Sequence, residues 1–355
     1  MSTLFSPLTI RGTTFSNRIW VSPMCQYMAT DGVVGAWHQV HLGSFATGGT
    51  GMIMVEATGV VPEGRISIGC PSIEDQAHAD AFKPMIEFAH SHGVKVGIQL
   101  AHAGRKASTM LPWDDHRIAS ADEGGWQAVS SSATAFEGYP VPRELTQTEI
   151  ASLISDFASA AKRAVAVGFD VIEIHAAHGY LLHQFYSPIM NQRTDEYGGN
   201  FDNRIRFLLE VATAVRAVIG DQTPLFVRIS ATDWVDSGWN VIDSVELSIK
   251  LKALGVDLID VSSGGAIHNA KIDPKPGFQV PFATAIKTEA EIATVAVGLI
   301  TEAEQAEHIV ATGEADAVFL ARAMLRNPRW ALAAAQTLGV DLTWPLPLQR
   351  GKIEK

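Results

Sequence analysis

Val171-Ile-Glu-Ile-His175-Ala-Ala-His178-Gly179-Tyr180 is a short run rich in β-branched residues that ends in a knot of reactive side chains. The run at 171–175 is strand-sized, and helix-length segments flank it. Upstream lies 149–167, opened by Thr146-Gln147-Thr148-Glu149, where Thr and Glu three apart suit a capping box. Downstream lies 201–219, stopped by Gly220. A buried strand between two helices is the unit from which open α/β sheets and barrels are built.

Outward from this unit the alternation continues. With 171–175 as the fourth, strands are expected at 19–22, 51–57, 94–100, 225–230, 258–262, 294–297 and 317–320. Further helices are expected at 244–254, ended by Gly255, and from Thr301-Glu302-Ala303-Glu304 to about Thr312, where Gly313 stops the chain. Eight strands alternating with helices predict an α/β fold, a single (β/α)8 TIM barrel that takes residues 1–355 as one domain. A doubly wound sheet is the rival. It is disfavoured because no G-x-G-x-x-G joins a strand to a helix; Gly48-Gly49-Thr50-Gly51 precedes a strand. The segment from His102 to Arg143, with Gly124, Gly125, Pro140 and Pro142, reads as an excursion or lid after the third strand.

Composition narrows the function. Of 355 residues, 47% are hydrophobic and only 18% charged, which argues against long disordered tails. A net charge of −11 disfavours a nucleic-acid partner. The two cysteines, Cys25 and Cys70, cannot form a four-thiolate zinc site or hold an iron–sulfur cluster. They are expected as reduced thiols, with a single Cys25–Cys70 bridge the one alternative. Met1-Ser2-Thr3-Leu4-Phe5-Ser6-Pro7 has neither a basic n-region nor an apolar h-region, and no apolar run is long enough to span a membrane. The expectation is a cytoplasmic protein without a membrane partner.

In a barrel the carboxyl ends of all strands meet at one mouth. The expected ends carry Pro23-Met24-Cys25-Gln26-Tyr27, Glu56-Ala57-Thr58, Gln99-Leu100-Ala101-His102, His175 to Tyr180, Arg228, Ser262-Ser263-Gly264-Gly265, Gly298 and Ala321-Arg322. His175 and His178 can chelate a metal with His183 or Glu173, donate two neutral N–H groups to one carbonyl oxygen, or serve structure alone. Tyr180, two residues on, is a candidate proton donor to a carbanion or enolate. Gly298 and Arg322 follow the seventh and eighth strands, where barrels often hold a phosphate. Gln99 and Arg228 add donors suited to a large heteroaromatic ring. Cys25 and Cys70 read first as small buried hydrophobes, and His38 and His41 as structural residues of a helix. Arg105 and Lys106 read as solvated loop charges, with a nucleotide phosphate as the alternative partner.

His175-Ala-Ala-His178-Gly179-Tyr180-Leu-Leu-His-Gln-Phe, followed by Ser187-Pro188, Asn191, Arg193-Thr194-Asp195-Glu196-Tyr197-Gly198-Gly199 and Asn203-Arg204, closely resembles the signature of the Old Yellow Enzyme family. Leu4-Phe5, Asn17-Arg18, Pro23 to Tyr27, Gln99 to Lys106 and Val297-Gly298-Leu299-Ile300-Thr301 resemble further segments of that family. The likeness runs from about Leu4 to the C-terminus. Cys25, where many members carry Thr, is similar to the bacterial thermophilic-like branch.

The resemblance implies an FMN-dependent ene reductase that takes hydride from NADPH or NADH and passes it to an activated alkene. It places Pro23, Met24, Cys25 and Ala57 along the isoalloxazine, with Cys25 tuning its potential. Gln99 and Arg228 would meet the pyrimidine edge, while Gly298, Ala321 and Arg322 would hold the phosphate. His175 and His178 would grip the substrate carbonyl, with Tyr27 nearby and Tyr180 as proton donor. Arg350-Gly351 resembles an arginine that some relatives insert into a neighbouring subunit's pocket. That implies a homodimer or higher homo-oligomer with Arg350 in the substrate site. A metal-dependent barrel hydrolase using His175 and His178, and a non-catalytic FMN-binding stress protein, are the alternatives.

Three departures from the family pattern stand out. Ala321 occupies a usual Gly position, so a positive φ there would strain it and weaken phosphate contact. Asn200 replaces a usual Ser, a minor change of helix cap. Tyr186 stands where Leu is common, which would reshape a helix face near the site.

Overall fold

The computed structural model describes residues 2–115 and 117–352; Met1, His116 and residues 353–355 lie outside them. Eight parallel strands close into a barrel: β1 (Ile19–Val21), β2 (Met52–Gly59), β3 (Lys95–Ala101), β4 (Val171–Ala176), β5 (Leu225–Ser230), β6 (Leu258–Ser262), β7 (Ala293–Ala296) and β8 (Ala317–Leu320). Each pairs with the next in sequence, and β8 pairs with β1 to close the ring. A helix follows each strand: α1 (Ala36–Ala46), α2 (Lys83–Ser91), α3 (Gln147–Val167), α4 (Phe201–Ile219), α5 (Val241–Ala253), α6 (Val280–Ala290), α7 (Ala303–Ala311) and α8 (Trp330–Thr337). The expected TIM barrel is therefore the observed fold.

Side-chain alternation along the strands separates two cores. Ile53, Val55, Ile98, Ile172, Ile174, Val227, Ile229, Ile259 and Val261 face outward and pack under the helices. Trp20, Met54, Val171, Phe226, Leu258, Val295 and Phe319 face inward and fill the floor of the barrel. An N-terminal hairpin, Leu8–Ile10 with Thr13–Phe15, brings Phe15 into that floor 4.7 Å from Trp20. Above it the inward positions turn polar, so the chemistry collects at the carboxyl ends.

The helix signals hold where capping chemistry was visible. Thr146 caps α3 by accepting from Glu149 N, and Glu149 reaches back to Thr146 N at 2.8 Å. Asn200 caps α4 through Asn203 N at 3.0 Å, doing what Ser would do there. α5 begins three residues before the expected 244 because Asn240 and Asp243 form a further capping box. β7 ends one residue early, at Ala296. The excursion after β3 contains short 3-10 turns and a two-residue parallel ribbon, Val129–Ser130 with Arg143–Glu144. Among the described residues no helix is long and apolar enough to cross a membrane.

Candidate active site

Strand register fixes which side chains share a level of the barrel. Ala57, Gln99 and Glu173 stand opposite one another across β2, β3 and β4. His175, Arg228 and Asp260 do so across β4, β5 and β6. Partners in register on parallel strands face the same side, so both rows point into the barrel.

The lower part of this layer is a buried charge network. Arg228 Nε lies 3.0 Å from Asp260 Oδ2, and Gln99 Nε2 donates to Glu173 Oε1 at 2.8 Å. Burial, and Asp260 beside it, push the Glu173 carboxyl well above its usual range; burial also raises Asp260 against the pull of Arg228. Among the described residues Glu173 Oε2 and both Asp260 carboxylate oxygens meet no hydrogen-bond donor, a shortfall that a proton held between the two acids would relieve. One negative charge would then balance Arg228. Arg228 Nη1 reaches Ser22 Oγ at 3.4 Å, while Nε, although ion-paired with Asp260, makes no hydrogen bond among the described residues. Glu173 entered the sequence reading only as a possible metal ligand and Asp260 not at all, although a lone acid inside an apolar strand (Ile-Glu-Ile, Ile-Asp-Val) was the signal for both.

The imidazoles sit above. The His175 and His178 ring centres are 5.2 Å apart at 88°, and Tyr180 lies 5.1 Å from His175. His175 Nδ1 accepts from Ala177 N at 3.3 Å, so its proton resides on Nε2. His178, held at φ 59°, places Nε2 2.7 Å from Ser262 Oγ. Burial, with Arg228 second, holds both imidazoles well below their usual range, so both are neutral near pH 7. Burial pushes the Tyr180 phenol well above its ordinary value. Its hydroxyl makes no hydrogen bond among the described residues and stays protonated.

His183 does not join them. Its Nδ1 accepts from Gly179 N and its Nε2 bonds Asp233 Oδ1, both at 2.8 Å and fully buried. His183 is therefore not free to complete a metal site with His175 and His178, and among the described residues no group of three or more potential ligand atoms within 4.8 Å of one another includes either histidine. Tyr186 is likewise fully buried, its hydroxyl donating to Ala176 O at 2.8 Å and accepting from Ser230 N at 3.1 Å. It therefore clamps the end of β4 to β5, a larger role than a reshaped helix face.

Arg105 and Lys106 are not the solvated charges that were expected. Arg105 is buried and donates to Ala266 O at 2.7 Å. Lys106 Nζ donates to His178 O at 2.9 Å and Gly265 O at 3.3 Å, and lies 5.3 Å from the Tyr180 ring. Burial, reinforced by Arg105, brings the Lys106 ammonium down to about 8. A 3-10 turn, Gly104–Lys106, folds both side chains inward. Loop position alone carried no signal of this.

On the opposite side, a β-bulge between Val55 and Ala57 turns Glu56 toward the half-buried Pro23 to Tyr27 loop, where it accepts from Gln26 N at 2.8 Å. Gln26 Nε2 in turn donates to Met24 O at 2.9 Å. Cys25, Tyr27 and Tyr180 pack against one cluster that includes Ala57, Cys70 and Ala101. His38, on α1, lies 3.3 Å from Glu56, consistent with a structural role.

The ends of β7 and β8 enclose a separate cavity of about 180 Å³ lined by Gly298, Leu299, Ile300, Ala321, Arg322 and Ala323. Gly298 has φ 118°, and a Cβ there would meet Gln279 Nε2 at 2.7 Å. The backbone N–H groups of Gly298, Leu299, Ile300, Arg322 and Ala323 donate to no protein acceptor among the described residues. Ala321 has φ −101°, so the feared left-handed strain does not arise. Arg350 is not gathered with the rest; it is exposed on a 3-10 turn, Leu346–Gly351.

A sequence profile described as the NADH:flavin oxidoreductase / NADH oxidase family matches residues 3–340. The chain is 48% identical to an NADPH dehydrogenase of Geobacillus thermodenitrificans over 98% of each chain. It is 44% identical to an NADPH dehydrogenase of Bacillus subtilis, again over 98% of each. Among solved structures, the old yellow enzyme homologue from Zymomonas mobilis superposes with a TM-score of 0.78 at 28% identity, covering 96% of this chain and 94% of that one.

Proposed function

This chain belongs to the NADH:flavin oxidoreductase / NADH oxidase family, that of the Old Yellow Enzymes, and we propose that it acts within it as an FMN-dependent ene reductase. It is an NAD(P)H-dependent flavin oxidoreductase, which sets aside both the hydrolase and the non-catalytic readings. NADPH is the proposed reductant, after the names of the relatives.

The residues suit a flavin with one phosphate. The unpaired N–H groups around Gly298 and Ala323, with exposed Arg322 beside them, match a phosphate dianion. Gln99 and the buried Arg228 supply donors for the polar ring edge, and Pro23, Met24, Cys25 and Ala57 supply its apolar surroundings. When bound, the flavin supplies hydride chemistry, from reduced nicotinamide to the β-carbon of an activated alkene.

The observation that carries the proposal is the pair of neutral imidazoles beside a protonated phenol. His175 presents Nε2–H. With Ser262 Oγ donating to His178 Nε2, His178 presents Nδ1–H. Two neutral donors converging on one oxygen stabilise negative charge as it develops without binding a resting anion too tightly. Tyr180 then gives its proton to the α-carbon. The Lys106 ammonium near its ring eases the transient phenolate, which takes a new proton from water. Tyr27 flanks the substrate. Arg350, on a tail bordering a groove of about 1030 Å³, is proposed to enter the site of a second copy in a homodimer or higher oligomer.

The test is direct. Flavin released from the purified protein is identified by mass, and the holoenzyme is reduced anaerobically with NADPH and reoxidised with a cyclic enone. FMN and stoichiometric saturated ketone are expected. FAD, or reoxidation by oxygen but by no enone, nitroalkene or quinone, overturns the reading.

A further inference from the structure

Cys25 and Cys70 are 45 positions apart in the chain, yet the fold sets them side by side. The Cys25 sulfur, the Cys70 sulfur and a Glu56 carboxylate oxygen all lie within 4.8 Å of one another. Both cysteines are free. Cys70 is fully buried, whereas Cys25 is partly exposed toward the mouth. One backbone bond ties the two segments, Ala29 N donating to Gly69 O at 2.9 Å, and a local turn, Cys70 N donating to Ser67 O at 3.0 Å, fixes Cys70 within its own. Gly69 makes this approach, since a Cβ there would stand 2.6 Å from Tyr27 O.

We propose that Cys25 and Cys70 form a dithiol–disulfide couple that closes under peroxide and switches the enzyme off. The two sulfurs, within 4.8 Å of one another, have to close to the roughly 2.05 Å of a disulfide. In the first step the Cys25 sulfur attacks hydrogen peroxide; the O–O bond breaks, one water leaves, and Cys25 becomes a sulfenic acid. In the second, the Cys70 sulfur displaces the sulfenic oxygen as a second water, and the S–S bond forms. Two thiol protons and two electrons are consumed for each peroxide, and a dithiol reductant reverses the change.

The residues around the pair shape its response. The Cys70 thiol beside it and a poorly solvated setting hold the Cys25 thiol well above its usual range, and Glu56 adds in the same direction. Reaction is therefore slow and needs sustained oxidant. Closure draws Cys25 toward Cys70 and moves the adjoining Tyr27 and Met24. The inhibitory half of the inference rests on the flavin-site reading given above; the thiol chemistry does not.

Reduced holoenzyme is treated with hydrogen peroxide, quenched, denatured and alkylated, and its free thiols and intact mass are measured. Thiols are expected to fall from two to none, with loss of two hydrogens and a linked Cys25–Cys70 peptide. NADPH-dependent turnover should fall tenfold or more, a scale typical of about 1 Å of misplacement in a site, and should recover with dithiothreitol. Cys70→Ser should keep its turnover before treatment, form no linked peptide, and lose activity only irreversibly as Cys25 overoxidises. Two persistent thiols, an intermolecular link, or a closed disulfide with unchanged turnover each overturn the switch. Because thiol count is read without flavin, an untreated protein that never turns over indicts the ene-reductase reading instead.

Discussion

Tyr180 and Lys106 carry the residue-scale expectations. Tyr180→Phe removes the only proton the phenol offers while leaving its ring against His175, so alkene reduction should slow on the order of 10²-fold. Flavin reduction by NADPH, which needs no such proton, should change little. Stopped-flow measurement of the two half-reactions separates these, and equal damage to both would remove Tyr180 as donor. Lys106 is charged below about 8 and neutral above. Its ammonium holds the carbonyls of His178 and Gly265, so the alkene half-reaction should decline as pH rises through that value. Lys106→Met should lower the rate and flatten that basic limb; an unchanged limb would assign it elsewhere.

At the scale of elements, the residues that position the imidazoles matter as much as the imidazoles. Asp233 binds His183, Ser187 and Trp239 N from the loop after β5, at 2.8, 2.6 and 2.9 Å. Burial alone would raise its carboxyl, but the His183 ring and these hydrogen bonds outweigh burial and hold it below the usual range. A depressed folded value means that this stability is complete above the unfolded value near 4 and is lost as pH falls through the folded one. Asp233→Ala strands three buried donors and should cost about 3 kcal/mol or more. Tyr186→Phe orphans Ala176 O and Ser230 N between β4 and β5 and should cost about 1–3 kcal/mol. Urea unfolding with unchanged slope checks both. A Tyr186→Phe midpoint equal to the parent's would show that the clamp is dispensable.

For the whole molecule, the floor and the mouth are separable. Trp20 is fully buried, stacked 5.9 Å from Phe226 and edge-on to Phe319 at 5.8 Å. Trp20→Ala should cost about 3–5 kcal/mol while a folded fraction keeps its flavin spectrum. Loss of flavin binding at temperatures where the barrel stays folded would mean that floor and mouth are coupled.

Local chemistry sufficed for much of this. Periodicity and punctuation placed all eight strands and the main helices, because a β-branched run and a Thr-x-x-Glu cap act within a few residues. The ordered motif from His175 to Arg204 was enough to identify the family and to single out the histidine pair and Tyr180, while the ends of the third and fifth strands offered Gln99 and Arg228. What no local pattern held was decided by closure of the barrel. Register set Arg228 between His175 and Asp260, and closure buried Glu173 beside Asp260, which raises both carboxyls above their usual range. A 3-10 turn folded Lys106 inward, and two distant loops met to pair Cys25 with Cys70. Distances, desolvation and partners across the sheet depend on residues far apart in sequence, and only the tertiary structure brings them together.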